Sequence, residues 1–163
     1  MLNDRRMRSP ENLLREAVAI ARSARANGNH PFGALLADRD GQVLLTAENT
    51  VVTTADVTGH AETNLVRLAS AAYAAEERAR CVLYTSTEPC AMCAGAIFWS
   101  GIGGVVYALP EAELSEMAEG AGDPGLLLPC RDVFAAGRRA ITVEGPFDLP
   151  EAREVHAGFW TPG

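Results

Sequence analysis

Two short strings, His60-Ala61-Glu62 and Pro89-Cys90-Ala91-Met92-Cys93, constrain this chain more than anything else in it. One imidazole and two thiolates at this spacing form a three-ligand zinc site. Tetrahedral zinc with three protein ligands keeps its fourth position for water, the catalytic rather than the structural arrangement. Glu62, two residues from the histidine, is placed to move protons on and off that water.

Both strings fall at expected helix starts. Cys90 and Cys93 stand at i and i+3, so their sulfurs share one helical face. The positive end of the helix dipole and a bound zinc both favour the thiolate there. His60 and Glu62 stand at i and i+2, roughly 200° apart on a regular helix. They share a site only if His60 sits at the very first turn, and Gly59 just before it is consistent with such a start. Alternatives stay open at this point. A Cys-x-x-Cys between strand and helix also fits a thioredoxin-like redox motif, although that leaves His60-x-Glu62 unexplained. A structural zinc site needs a fourth ligand, which Cys81, Cys130, His30 or His156 could supply.

The 163 residues allow one domain with a real core, spanning residues 1–163. Hydrophobic residues make up 48% and charged residues 21%, which excludes a disordered chain. Met1–Arg8 carries three arginines, but charged residues interrupt the segment after it, so no signal-peptide core follows. No apolar run reaches a membrane span, and a cytoplasmic location is the expectation. With 14 basic against 21 acidic residues the net charge is −7, which shifts the balance from polyanionic partners towards a small uncharged substrate. Cys81 opens an apolar strand and reads as a buried small hydrophobe, while Cys130 has no assignable role.

The periodicity predicts an amphipathic helix over 11–26, capped by Ser9 with Pro10 at its first position and closed by Asn27-Gly28. Ala34–Ala37 and Val43–Ala47 flank an Asp-Gly turn and read as an antiparallel hairpin. A second helix runs from near His60 to about Arg78. Then come a strand at 81–86, a helix at 90–100 and a strand at 104–108. Residues 119–130 form a Gly- and Pro-rich loop, 140–144 a last strand and 150–158 a last helix. This order implies a layered α/β domain around a mixed sheet.

The residues that carry chemistry lie in longer recognisable strings: Pro31-Phe32-Gly33-Ala34, Asn49, Thr58–Glu62, Tyr84–Ala96 and Val105-Val106-Tyr107. Over about residues 12 to 145 the chain resembles the cytidine-deaminase-like zinc deaminases, and within them the guanine deaminase and tRNA adenosine deaminase branch. The resemblance implies an α/β/α arrangement with a five-stranded mixed sheet, one Zn2+ per chain held by His60, Cys90 and Cys93, and a homodimer. It implies that Glu62 shuttles the proton as water replaces an exocyclic amine and ammonia leaves. It also implies substrate contacts from Asn49, from the backbone amide of Ala61, from Trp99 and from Glu113 as a second proton-handling acid. An aromatic tail, here Phe159-Trp160, can cover a partner's site in such proteins.

The resemblance also shows departures. Relatives that act on tRNA usually carry basic residues after the zinc motif and in the last helix. Pro110–Pro129 contains five acidic residues and no basic one, and the last helix offers Arg153 against Glu151 and Glu154. A free heterocyclic amine is therefore the expected substrate, with guanine first and cytosine-like pyrimidines or amino-triazines next. A tRNA adenosine deaminase and a non-catalytic zinc-stabilised binding protein are the alternatives.

Overall fold

A computed structural model describes residues 8–162. The arginine-rich start singled out above lies outside them, apart from Arg8. Helix α1 (Pro10–Ala26) begins where the sequence places it: the Ser9 hydroxyl accepts from the Asn12 N–H, and Pro10 takes the first position, where its missing N–H costs nothing. Its stripe of Leu13, Leu14, Ala17, Val18, Ala21 and Ala24 is fully buried.

Strands β1 (Gly33–Ala37) and β2 (Val43–Glu48) form the expected antiparallel hairpin. Strand β3 (Val82–Thr87) pairs antiparallel with β1, and β4 (Gly104–Leu109) and β5 (Thr142–Glu144) extend the sheet in parallel. The spatial order is β2-β1-β3-β4-β5, the five-stranded mixed sheet of the expectation.

Side chains alternate across the sheet, so each face has its own core. Ala34, Leu36, Leu83, Val105 and Tyr107 meet α3 (Ala61–Ala72), α5 (Ala91–Ser100) and α7 (Cys130–Ala135). Val106 and Ala108 face α1 and α8 (Pro150–Glu154) on the other side. Helix α1 rests directly on β1 at Gly33, where a Cβ would come within 2.4 Å of the Ala17 carbonyl oxygen. Only glycine permits that approach.

The structure departs from the sequence expectation in five places. The second long helix stops at Ala72, and a separate turn, α4 (Ala75–Arg78), follows. The break is held by the Arg78 guanidinium, which donates to the carbonyls of Tyr73 and Ser100. A short helix, α2 (Val51–Thr54), follows the hairpin, and α6 (Glu111–Ala118) occupies the acidic stretch. Helix α7 begins at Cys130, buried in the core beside Phe134, which gives that cysteine a packing role. The last helix ends at Glu154 and continues as turns towards the terminus. Among the described residues no helix is long and apolar enough to cross a membrane.

Candidate active site

The two halves of the motif meet at two helix N-termini. His60 is the N-cap of α3, in extended conformation, and Cys90 is the N-cap of α5. Because His60 precedes the first helical turn, the 200° separation does not apply, and Glu62 in that turn reaches the same site. Gly59 is required there, since a Cβ would stand 2.8 Å from Thr50 Oγ1 and 3.0 Å from the Asp56 carbonyl.

His60 Nδ1 lies 3.6 Å from Cys90 Sγ and 3.5 Å from Cys93 Sγ. Tetrahedral zinc with bonds of about 2.1 Å to nitrogen and about 2.3 Å to sulfur holds such atoms about 3.6 Å apart. The donor set and its spacing thus fit zinc. Among the described residues no fourth cysteine or histidine joins the group. Cys81 and Cys130 are buried in the core, and His30 and His156 also stand outside the group, so none of the four candidates supplies a fourth ligand.

The Cys93 thiol and then His60 hold the Cys90 thiol down to about 4, against the effect of burial. Thr63 Oγ1 stands 3.2 Å from Cys93 Sγ and supports that ligand from behind. Helix α5, which carries both cysteines, is also fixed at its far end. Arg139 donates to the carbonyls of Phe98 and Ile102 at 2.8 Å, satisfying groups that a helix end leaves free.

Glu62 is 5% exposed and its Oε1 accepts from Thr85 Oγ1 at 2.8 Å. Burial, and then the Cys90 charge, push its carboxyl above the usual range, while the Thr85 hydrogen bond opposes them. His60, Glu62 and Cys90 open on a cavity of about 340 Å³. Its other walls are the end of β3 (Thr87, Glu88), α6 (Glu111, Leu114), the loop Asp123–Leu126, the turn before β1 (His30, Phe32) and the tail residue Trp160.

Known proteins agree with this geometry. Residues 7–109 match the family described as the cytidine and deoxycytidylate deaminase zinc-binding region. This chain belongs to that family. The deaminase is 42% identical over 151 residues to a probable cytosine deaminase of Schizosaccharomyces pombe, covering 92% of this chain and 91% of the relative. To the guanine deaminase of Bacillus subtilis it is 38% identical over 118 residues, 72% of this chain and 73% of the other. The solved guanine deaminase of Nitrosomonas europaea is 25% identical with a TM-score of 0.73, over 91% of this chain and 85% of its own.

Three residues that the resemblance implied, Trp99, Glu113 and Asn49, stand off the cavity of this chain. Trp99 is 86% exposed and does not line the cavity. Helix α5 turns Cys93, Ala94 and Ile97 inward, and Trp99, two residues after Ile97, falls on the opposite side. Glu113 likewise points away from the cavity, where both its oxygens accept from Arg153 of α8, at 2.7 and 3.0 Å. Glu111, two residues earlier and so about 200° around α6, is the carboxylate on the cavity wall. Burial, and then the charges of Cys90, Glu62, Glu88 and Asp123, raise it to about 7.

Asn49 is buried and its side-chain oxygen accepts from the Val51 N–H, a turn-capping position off the cavity wall. Ala61 is buried as the first residue of α3, where an N–H has no partner within the helix. Sequence reasoning did not place His30, Phe32, Glu111 or Trp160 on this cavity. For Glu111 a signal existed: Leu114, three residues on, is the apolar neighbour that a helix would set beside it on the same face.

Proposed function

We propose that this deaminase hydrolyses the exocyclic amine of a free nucleobase, leaving a carbonyl and ammonia. The observation that carries the reading is a buried Glu62 opening on the same cavity as His60 and Cys90. His60, Cys90 and Cys93 would hold one zinc per chain, which would supply a water acidified towards a pKa of about 7. Glu62 takes one proton from water and gives it to the ring nitrogen, then takes the second from the hydroxyl now on the ring carbon and gives it to the departing amine. Thr85 keeps the Glu62 carboxyl aimed while its proton comes and goes. Cys90 and Cys93 are supported as ligands by the positive end of α5. Glu111 provides a second carboxylate on the path by which protons and ammonia leave.

The charge of the cavity supports a free base. Glu62, Glu88, Glu111 and Asp123 line it, and among the described residues no arginine does. A phosphate group would meet carboxylates there, and a base rich in N–H donors would meet acceptors. The same pattern and the net charge of −7 disfavour tRNA. Arg153, the basic residue of the last helix, is already paired with Glu113 and Asp148. The names of the relatives put cytosine beside guanine as the first bases to test, with amino-triazines after them.

The homodimer implied by the resemblance, and the cytoplasmic location expected from the sequence, belong to the same proposal. Trp99 at 86% and Val57 at 79% exposure, the latter on the cavity rim, are large apolar surfaces that a second copy would cover. Sedimentation equilibrium checks it, and a monomer at micromolar concentration removes it.

The deciding experiment is ammonia release by the zinc-loaded protein from guanine, cytosine, adenine, ammeline and the matching nucleosides, beside Glu62→Gln. One base should be turned over, and the variant should lose at least about a thousandfold in kcat while keeping its zinc. Turnover that survives Glu62→Gln would overturn the mechanism.

A further inference from the structure

The tail of the chain folds back onto its own catalytic cavity. Trp160 lines the cavity, and its indole Nε1–H donates to His156 Nδ1 at 3.1 Å. The two rings are nearly parallel, 19° apart with centroids at 6.1 Å. His30 and Phe32, also on the cavity, lie 5.9 and 6.2 Å from the indole. Phe159 meets the indole edge-on at 4.8 Å and sits under the Arg25 guanidinium of α1. Arg25 also donates to the Val155 carbonyl at 2.8 Å, which anchors the start of the tail.

His156 is the unusual member of this group. It is 2% exposed, and Nε2 has no hydrogen-bond partner among the described residues. Since Nδ1 accepts from the indole, a neutral ring carries its proton on that unpartnered Nε2. Burial, and then the Arg25 charge, hold the imidazole down to about 4, so neutral is the form present near pH 7. A side chain that served only to fill this space would do better as phenylalanine, with no buried N–H left unmatched. The imidazole contributes one thing phenylalanine lacks, an acceptor for the Trp160 N–H.

We propose that His156 is a positioning residue for base recognition: its hydrogen bond fixes the Trp160 indole as the cavity wall against which the heteroaromatic ring is held. This rests on the free-base reading above. It assigns specificity to a residue that touches neither the metal nor the reacting atoms. An indole fixed in place offers a broad π surface at no further ordering cost when a planar ring arrives.

The test uses the zinc-loaded full chain in a Trp99→Phe background, where Trp160 is the sole tryptophan. His156→Phe removes the acceptor, His156→Gln keeps one, and Trp160→Phe removes the donor from the other side. Without any substrate, His156→Phe should shift Trp160 emission and raise its quenching by acrylamide, and His156→Gln should restore most of both. Binding of 8-azaguanine, and KM for whichever base is turned over, should weaken about tenfold in His156→Phe and in Trp160→Phe, with kcat within about twofold. The thermal midpoint of His156→Phe should change little, because the unmatched His156 Nε2–H is lost as the Trp160 Nε1–H loses its acceptor. A purely structural role predicts a lower midpoint with unchanged KM. Emission and quenching unmoved in His156→Phe, or KM unmoved in both ring variants, would overturn the proposal. Silence of the whole base panel would instead overturn the deaminase reading, since the emission measurements need no turnover.

Discussion

The hydroxyl of Thr85 stands between two acceptors, 2.8 Å from Glu62 Oε1 and 2.9 Å from the Thr87 carbonyl oxygen. It has one proton to give. When Glu62 is ionised, Thr85 donates to it. When Glu62 carries a proton, Glu62 can donate to Thr85, which then donates to the Thr87 carbonyl. Both forms of the carboxyl are therefore matched without any side chain moving. Thr85→Val removes this two-way partner and keeps the shape. We expect kcat to fall at least about tenfold with zinc content unchanged, since a hydrogen bond to a charged group contributes about 1.5–3 kcal/mol. Stopped-assay kinetics beside a metal determination check it.

The neighbours on α6 separate cleanly. Glu111→Gln takes a carboxylate from the cavity and should lower kcat about a hundredfold, the low side of what a proton-handling group contributes. Glu113→Gln breaks only a half-exposed ion pair with Arg153, and such pairs contribute about 0–1 kcal/mol. Its activity should stay within about twofold. Parallel kcat measurements decide which acid serves the reaction, and equal effects would contradict the assignment.

Thr63 touches Cys93, one of the three proposed zinc ligands. Supports of this kind typically contribute about 10–100-fold in metal affinity. Thr63→Ala should therefore release zinc to a chelator at correspondingly lower chelator concentration, while the fully loaded variant keeps near-normal kcat. A competition titration against a zinc-binding dye reads the difference.

His156 also ties stability to acid. Its folded value of about 4 lies below the ordinary value near 6.5, so the unfolded chain binds the extra proton first. Stability is then full above pH 6.5 and is lost progressively as pH falls towards 4. The loss approaches about 3 kcal/mol at one pKa unit per 1.4 kcal/mol. His156→Phe should flatten this part of the curve. Urea melts at pH 7, 6, 5 and 4 compare the two proteins.

The parts of this molecule that were legible in its sequence are those written locally. Ser9-Pro10 and a six-residue apolar stripe define α1, and the Asp40-Gly41 turn defines the hairpin. The cluster of His60, Cys90 and Cys93 was legible because the two strings together narrow the chemistry that Cys-x-x-Cys alone leaves open to redox or structural uses. Helices α6 and α7 were missed because each is short, with one or two buried residues, too few to show a period. Trp99 and Glu113, assigned by resemblance, lie off this chain's cavity: Glu113 is two positions from the cavity-lining Glu111 and so on the far face of α6, while Trp99 stands on the exposed side of α5. Trp160 on this cavity could not be foreseen, because its neighbours His30 and Phe32 come from the other end of the chain.

The cavity is assembled from two kinds of material. His60, Glu62, Cys90 and Cys93 come from helices seated on the sheet, where a change disturbs the core. His30, Glu111, the loop Asp123–Leu126 and Trp160 come from a turn, a short peripheral helix, a connecting segment and the tail. Natural variation can therefore rewrite the second group while the first stays constant. A lineage carrying this architecture can exchange one heterocycle for another without passing through an intermediate that has lost its metal.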